Sequence, residues 1–293
     1  MSRIAILGQG AWGTALGASL AGAGADIAFW RRGDDAAALG RADLVISAVP
    51  AQATREVLGR LASAIPAAAP LILTAKGLER GSLLRQSQVA AEIAPGHEIA
   101  VLSGPSFAAD LTRGLPTAVT LATEAPCADR LQQRLATPSL RPYLSDDLIG
   151  VEIGGALKNV IAIACGAAIG AGFGESARAA LMARGFAELS RLAIALGARV
   201  ETLGGLSGLG DLALTCTSAQ SRNFRYGVSL GEIGRAPEEG TYEGAQTADA
   251  AMALARQLGV SAPITETVAA LVGGRLDVRE AVEQLYNRPL RRE

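Results

Sequence analysis

Two lysines stand apart in a chain that writes nearly every other cation as arginine. Of its 27 Lys and Arg residues 25 are Arg, and the two Lys are Lys76, in Ala-Lys-Gly-Leu-Glu, and Lys158, in Gly-Gly-Ala-Leu-Lys-Asn-Val. An Arg guanidinium stays protonated at neutral pH, whereas burial tunes a Lys ammonium down until it can give or take a proton. Both lysines lie in glycine-flanked, largely apolar contexts, so they are candidates for acid/base or substrate-orienting work. Asn159, beside Lys158, offers an amide to a substrate hydroxyl or simply closes a helix surface. Ser221-Arg222-Asn223 places a hydroxyl, a guanidinium and an amide in succession; these are the donors a phosphate needs, or the start of a helix. Asp211 follows the turn Ser207-Gly208-Leu209-Gly210 and on its own reads as a helix N-cap.

A second chemical feature is Gly8-Gln9-Gly10-Ala11-Trp12-Gly13, which fits G-x-G-x-x-G. It follows the apolar run Ile4 to Leu7 and opens a helical pattern from Thr14 to Ala21, which Gly22 and Gly24 end. Glycines there permit a tight turn and close backbone approach, so a helix N-terminus turns its free N–H groups toward a pyrophosphate. Gly8, Gly10, Ala11, Trp12 and Gly13 are therefore read as a dinucleotide site. A carboxylate ending the next strand would bind the ribose hydroxyls of NAD. Here Trp30 is followed by Arg31 and Arg32, which suit the 2′-phosphate of NADP. NADP(H) is favoured and NAD(H) stays open, because Asp34 and Asp35 lie close to the expected offset.

These groups need a scaffold to hold them. Short β-rich runs at Ile4–Leu7, Asp26–Trp30, Leu44–Val49, Leu71–Thr74, Ile99–Leu102 and Ala118–Leu121 alternate with helical patterns, as in a mostly parallel sheet covered by helices. From Asp147 onward the strand pattern stops. Met182, Phe186, Leu189, Ala193 and Leu196 form one apolar stripe at helical spacing, with Arg184, Glu188 and Arg191 facing elsewhere. The expected fold class is α/β: a Rossmann-like, mostly parallel sheet domain over residues 1–147 and an all-α substrate and catalytic domain over 148–293.

Composition narrows the partners. Lys plus Arg at 27 nearly cancels Asp plus Glu at 28, so no field gathers nucleic acid or an anionic membrane and a small-molecule partner is expected. Three dispersed cysteines and a single His97 fit neither a disulfide framework nor a metal site. A reducing cytoplasm and no metal are expected. No basic-then-apolar leader follows Met1. The uncharged window Asn159 to Gly174 is too short for a bilayer and studded with glycine, which makes it a buried helix.

The segments GQGAWGTAL, TAKGLE, SGPSFA, GLPTA, GGALKNVIAI, GLGDLALTCTSAQSRN, EGAQTA and PITE, in this order along nearly the whole chain, resemble the motif series of bacterial NAD(P)-dependent glycerol-3-phosphate dehydrogenases. The resemblance implies reversible reduction of dihydroxyacetone phosphate to glycerol 3-phosphate for phospholipid synthesis, by a cytoplasmic and commonly homodimeric enzyme. By correspondence Lys158 is the general acid/base at the C2 oxygen, and Asp211 orients its ammonium. Lys76, Gly104, Ser106 and Ala108 match positions where the nicotinamide end and the substrate phosphate meet. Ser221, Arg222 and Asn223 hold the phosphate, with Arg222 also reaching the cofactor. Glu243 lies near the cofactor, the alternative being a solvated acidic loop with Glu238 and Glu239. One departure concerns Gly33 to Ala42, a connection much shorter than the family's, which opens the adenine side of the pocket. The competing readings are a lysine-dependent hydroxyacid or ketopantoate-type dehydrogenase, and a sensor that holds NADP without turning it over.

Overall fold

In a computed structural model, which describes residues 3–238 and 240–286, the first half of the chain builds one seven-stranded sheet. Its strands are β1 (Arg3–Leu7), β2 (Asp26–Trp30), β3 (Leu44–Ser47), β4 (Leu71–Leu73), β5 (Ile99–Ser103), β6 (Thr117–Ala122) and β7 (Leu140–Ser145). They lie in the order β2-β1-β3-β4-β5-β6-β7, and every neighbouring pair is parallel except β5 with β6. The strands of the middle are buried along their whole length, since helices α1 (Ala11–Gly22), α2 (Thr54–Leu61), α3 (Gln86–Ile93), α4 (Ala108–Thr112) and α5 (Ala128–Leu135) cover the sheet. All six expected strands are present, with ends displaced by at most two residues.

A seventh strand, β7, adds to the six that the sequence pattern marks. Pro138 and Pro142 mark the end of the strand pattern in the sequence, and β7 runs through Pro142. It can do so because β7 is the last strand of the sheet, where a missing N–H deprives no neighbouring strand of a bond. Its exposed Arg141 and Tyr143 also hide the apolar signal of a buried strand. Between β2 and β3 a single 3-10 turn, Ala36–Arg41, replaces a crossover helix; Asp35 caps it by accepting from the Ala37 amide at 2.9 Å.

The second half is helical: α6 (Leu148–Gly170), α7 (Gly174–Ala195), α8 (Val200–Leu203), α9 (Asp211–Thr217), α10 (Arg222–Ile233), α11 (Glu243–Gln257), α12 (Pro263–Val272) and α13 (Val278–Tyr286). Helix α6 is buried over nearly its whole length and forms the axis around which the others pack. The window Asn159 to Gly174, expected to be too short for a bilayer, is the end of this longer helix and the turn after it; α6 as a whole is long and apolar enough to cross a membrane, and here it is enclosed by protein. Its glycines let α10 approach closely. A Cβ on Gly166 would lie 2.0 Å from the Phe224 carbonyl oxygen, and one on Gly227 would lie 2.1 Å from that of Ile163. The stripe on α7 differs from expectation at one position. Leu189 and Ala193 are buried as expected, but Glu188 is only 4% exposed rather than turned outward. Its carboxylate accepts from the Ile264 amide at 2.8 Å and the Thr265 amide at 3.1 Å, capping the N-terminus of α12. The two halves interlock, because Leu78 from the β4–α3 loop joins the helical core while Val151 of α6 joins the sheet core.

Candidate active site

The strand order reverses across β1 and β3, and the glycine loop lies at the carboxyl end of β1, where such a reversal leaves a crevice. Gly8 has φ +98°, which favours glycine, and a Cβ on Gly13 would lie 2.2 Å from the Gly8 oxygen. Gly10 is the N-cap of α1, and a Cβ there would meet nothing within 4 Å, so its open side is where a ligand's backbone approach is possible. Ala11 and Trp12 form the first turn of α1. The cleft before this loop has a volume of about 500 Å³, with Val49, Pro50 and Val57 as an apolar wall and Gln9, Arg31 and Arg32 at its polar end. This pairing of an apolar wall with helix N–H groups and cations fits a dinucleotide.

Arg31 donates from Nε to the Gln9 side-chain oxygen across the loop. The two nearby carboxylates are already engaged: Asp34 accepts from the Arg31 amide at 2.7 Å, and Asp35 caps the 3-10 turn. The end of β2 therefore presents guanidinium groups to the cleft, with both carboxylates turned to the backbone.

Lys158 and Lys76 converge on a single carboxylate. Lys158 Nζ donates to Asp211 Oδ1 at 2.5 Å, and Lys76 Nζ donates to Asp211 Oδ2 at 2.7 Å. Asp211 is 1% exposed and stands at the first residue of α9, after the N-cap Gly210, so its side chain serves the lysines and caps nothing. Each ammonium has one further partner: Thr215 Oγ1 for Lys158, at 2.8 Å, and the Gly104 carbonyl for Lys76, at 2.9 Å. Thr215 Oγ1 in turn donates to the Asp211 carbonyl at 2.6 Å, which turns its lone pairs to Lys158. An ammonium has three N–H bonds, so one on each lysine has no acceptor among the described residues and is able to donate to a ligand. Burial pulls the Lys158 pKa down to about 8; Asp211 opposes that shift and the charge of Lys76 adds to it. Burial also raises the pKa of Glu243 at the start of α11, while the Ala51 amide, 3.4 Å from its Oε1, and the charges of Arg222, Lys76 and Lys158 oppose the rise.

The remaining candidates gather around this centre. Gly104, at φ +143°, has no room for a side chain, since a Cβ would lie 3.0 Å from Val119 Cα. Ser106 Oγ donates to the Gly104 carbonyl at 3.1 Å, and Ala108 begins α4. Ser221 caps α10 by accepting from the Phe224 amide at 3.2 Å, with Arg222 exposed at the first residue of that helix. Asn159 and Asn223 are engaged with each other and with the backbone. Asn223 Nδ2 donates to Asn159 Oδ1 at 3.0 Å, Asn159 Nδ2 donates to the Lys76 carbonyl at 3.2 Å, and the Gly244 amide donates to Asn223 Oδ1 at 3.0 Å. Arg31 and Arg32 line the glycine-loop cleft instead. Thr215 carried no role in the sequence reading; its spacing of four from Asp211 on one helix face was the available signal.

A family signature described as the C-terminus of NAD-dependent glycerol-3-phosphate dehydrogenase matches residues 147–283, and its N-terminal counterpart matches 32–128. The chain belongs to the NAD-dependent glycerol-3-phosphate dehydrogenase family. The glycerol-3-phosphate dehydrogenase [NAD(P)+] of Brucella ovis is 48% identical over 323 residues, spanning 100% of this chain and 99% of that one. Its counterpart in Parvibaculum lavamentivorans is 47% identical over 327 residues, spanning 99% and 98%. The crystal structure of glycerol-3-phosphate dehydrogenase from Coxiella burnetii superposes with a TM-score of 0.91 at 36% identity, covering 98% of this chain and 99% of that one. These kinships exclude the hydroxyacid and ketopantoate-type readings and the non-catalytic sensor: the chain is an NAD(P)-dependent enzyme.

Proposed function

We propose that Lys158 is the proton carrier for interconversion of dihydroxyacetone phosphate and glycerol 3-phosphate, with Asp211 and Lys76 holding it in place. The observation that carries this reading is one buried carboxylate shared by the two lysines of the chain. A dinucleotide at the glycine loop supplies or accepts a hydride at C2. As charge builds on the C2 oxygen of the ketone, the free N–H of Lys158 protonates it; in the reverse direction the neutral amine takes the hydroxyl proton. A pKa of about 8 places both forms of Lys158 within reach near neutrality. Asp211 keeps Nζ aimed, and its single negative charge is shared between the two ammonium groups, one at each oxygen. Lys76, with one N–H left over, and the Ser221-Arg222-Asn223 segment supply the cationic and polar donors for the phosphate, and Gly104 and Ser106 shape the pocket floor. Glu243 and Ala108 face the cofactor side.

NADP(H) is the preferred cofactor in this reading. Its support is the guanidinium pair Arg31 and Arg32 at the cleft, beside carboxylates already spent on the backbone. Glycerol 3-phosphate made in the cytoplasm would feed phospholipid synthesis, and the exposed Phe173, Ile194 and Val200 of the helical half support pairing with a second copy of the chain. The deciding assay is oxidation of NADPH dependent on dihydroxyacetone phosphate. Turnover should fall on the order of 10²–10⁴-fold in Lys158→Ala with cofactor binding retained; parent-like turnover in that variant would remove Lys158 from the chemistry.

A further inference from the structure

The two lysines reach Asp211 from different halves of the molecule. Lys158 is on α6, while Lys76 is on the loop between β4 and α3. Their meeting therefore depends on whatever sets that loop against α6. Two side chains of α6 seven residues apart, and hence on one face of the helix, grip it. Asn159 donates to the Lys76 carbonyl at 3.2 Å. Glu152, 7% exposed, reaches across to the start of α3. There it accepts from the Ser87 amide at 2.8 Å, from Ser87 Oγ at 2.6 Å and from Arg85 Nη1 at 2.6 Å. The contact passes back to the loop through Gln86, whose Nε2 donates to the Gly77 carbonyl at 3.1 Å, next to Lys76.

We propose that Glu152 is a positioning residue for the reaction: with Asn159 it clamps the Lys76 loop to the Lys158 helix, so that both ammonium groups engage the same carboxylate. This inference rests on Lys158 being the proton carrier. Helix α3 has its own local cap, since Gln88 Oε1 accepts from the Arg85 amide at 3.0 Å. Glu152 adds a second cap from the other half of the molecule, which makes the seating of α3 depend on α6. A buried carboxylate is costly to desolvate, and stability alone is poorly served by such a choice.

The clamp has a consequence that general destabilisation lacks. Lys158 is faced by Asp211, Thr215 and Cys216 from α9, by Lys76 from the loop and by Glu243 from α11. When the clamp is cut, Lys76 moves away and its repulsion of Lys158 fades, so the ammonium of Lys158 is held more firmly. The alkaline limb of the reduction rate, where Lys158 loses its proton, then moves to higher pH.

The test compares the pH dependence of dihydroxyacetone phosphate reduction in the full chain, in Glu152→Ala and in Glu152→Gln, whose amide oxygen can still accept from Ser87. Glu188→Gln, which alters another buried helix cap distant from the loop, is the control. Glu152→Ala should lose turnover on the order of 10²-fold through misplacement, move its alkaline limb up on the order of one pH unit and keep its affinity for NADPH. Glu152→Gln should restore much of the limb's position, and Glu188→Gln should leave the limb unmoved. A Glu152→Ala enzyme that melts lower but keeps the parent limb overturns the clamp. If that variant does not fold, Ser87→Ala deletes part of the contact; a limb shift of the same sign supports the clamp, and an unmoved limb overturns it. A parent limb that Lys158→Ala does not abolish would instead overturn the proton-carrier reading, whatever Glu152 does.

Discussion

Replacing Asp211 by Asn keeps the shape of the side chain and removes the charge between the two lysines. Lys158 is held near a pKa of about 8 by opposing forces: burial and the charge of Lys76 push it down, and Asp211 holds it up. At the 2.5 Å contact an effective dielectric of about 20 gives an attraction of about 7 kcal/mol. Solvent and side-chain relaxation will recover part of that. A net loss of only about 2.7 kcal/mol still lowers the pKa by about two units, at 1.36 kcal/mol per unit. Near about pH 7.5 the parent ammonium is about three-quarters protonated, while the variant's is about 3% protonated, which alone lowers the reduction rate about 25-fold. In the proposed chemistry reduction needs the ammonium, so activity is present below the pKa and lost above it. Initial rates of NADPH oxidation with saturating dihydroxyacetone phosphate should therefore show the alkaline limb displaced to lower pH in Asp211→Asn, with partial recovery in acid. A limb that stays at the parent position, or moves upward, would show that Asp211 does not control the proton on Lys158.

Other outcomes follow from single contacts. Gly10→Ala should fold with the parent's melting temperature but bind cofactor poorly, because its Cβ meets only the open side of the loop, whereas Gly13→Ala drives a methyl into the Gly8 carbonyl and should cost about 1–3 kcal/mol in denaturant unfolding. Arg31→Ala with Arg32→Ala should lower kcat/KM for NADPH while leaving that for NADH nearly unchanged; equal losses would deny these residues a 2′-phosphate role. Burial raises the Glu188 pKa in the folded state despite the two α12 amides that oppose it. The folded form thus binds its proton more tightly than the unfolded chain, and Glu188 costs stability as pH rises above the ordinary carboxylate range. Relative to Glu188→Gln, the parent should be most stable in mild acid and lose ground toward neutrality in parallel denaturation curves.

Much of the fold was legible because its signals are local. Ile4 to Leu7 and Leu44 to Ser47 are short apolar runs buried between helices, and Gly8 to Gly13 follows the first of them at the spacing a phosphate turn requires. Lysine identity was equally local, since Lys76 and Lys158 stand out against the arginines wherever they fold. The strand β7 is not legible in the sequence because Pro142 reads as a breaker unless the strand lies at the edge of the sheet. Glu188 was assigned to solvent by helical periodicity, which describes a helix and cannot see that the N-terminus of α12 arrives to accept a carboxylate. Thr215 and Glu152 had types and positions in plain view, but their partners came from other elements.

By itself, then, the amino-acid order determined which segments form strands and helices, where a nucleotide's phosphates can be received, and which side chains are chemically able to move a proton. Those properties depend on neighbours a few residues away. Only the tertiary structure decided that Asp211 lies between a lysine 53 positions before it and another 135 positions before it. It also decided that burial brings the Lys158 pKa to about 8, because desolvation and charge–charge energies depend on distance through space and on the exclusion of water.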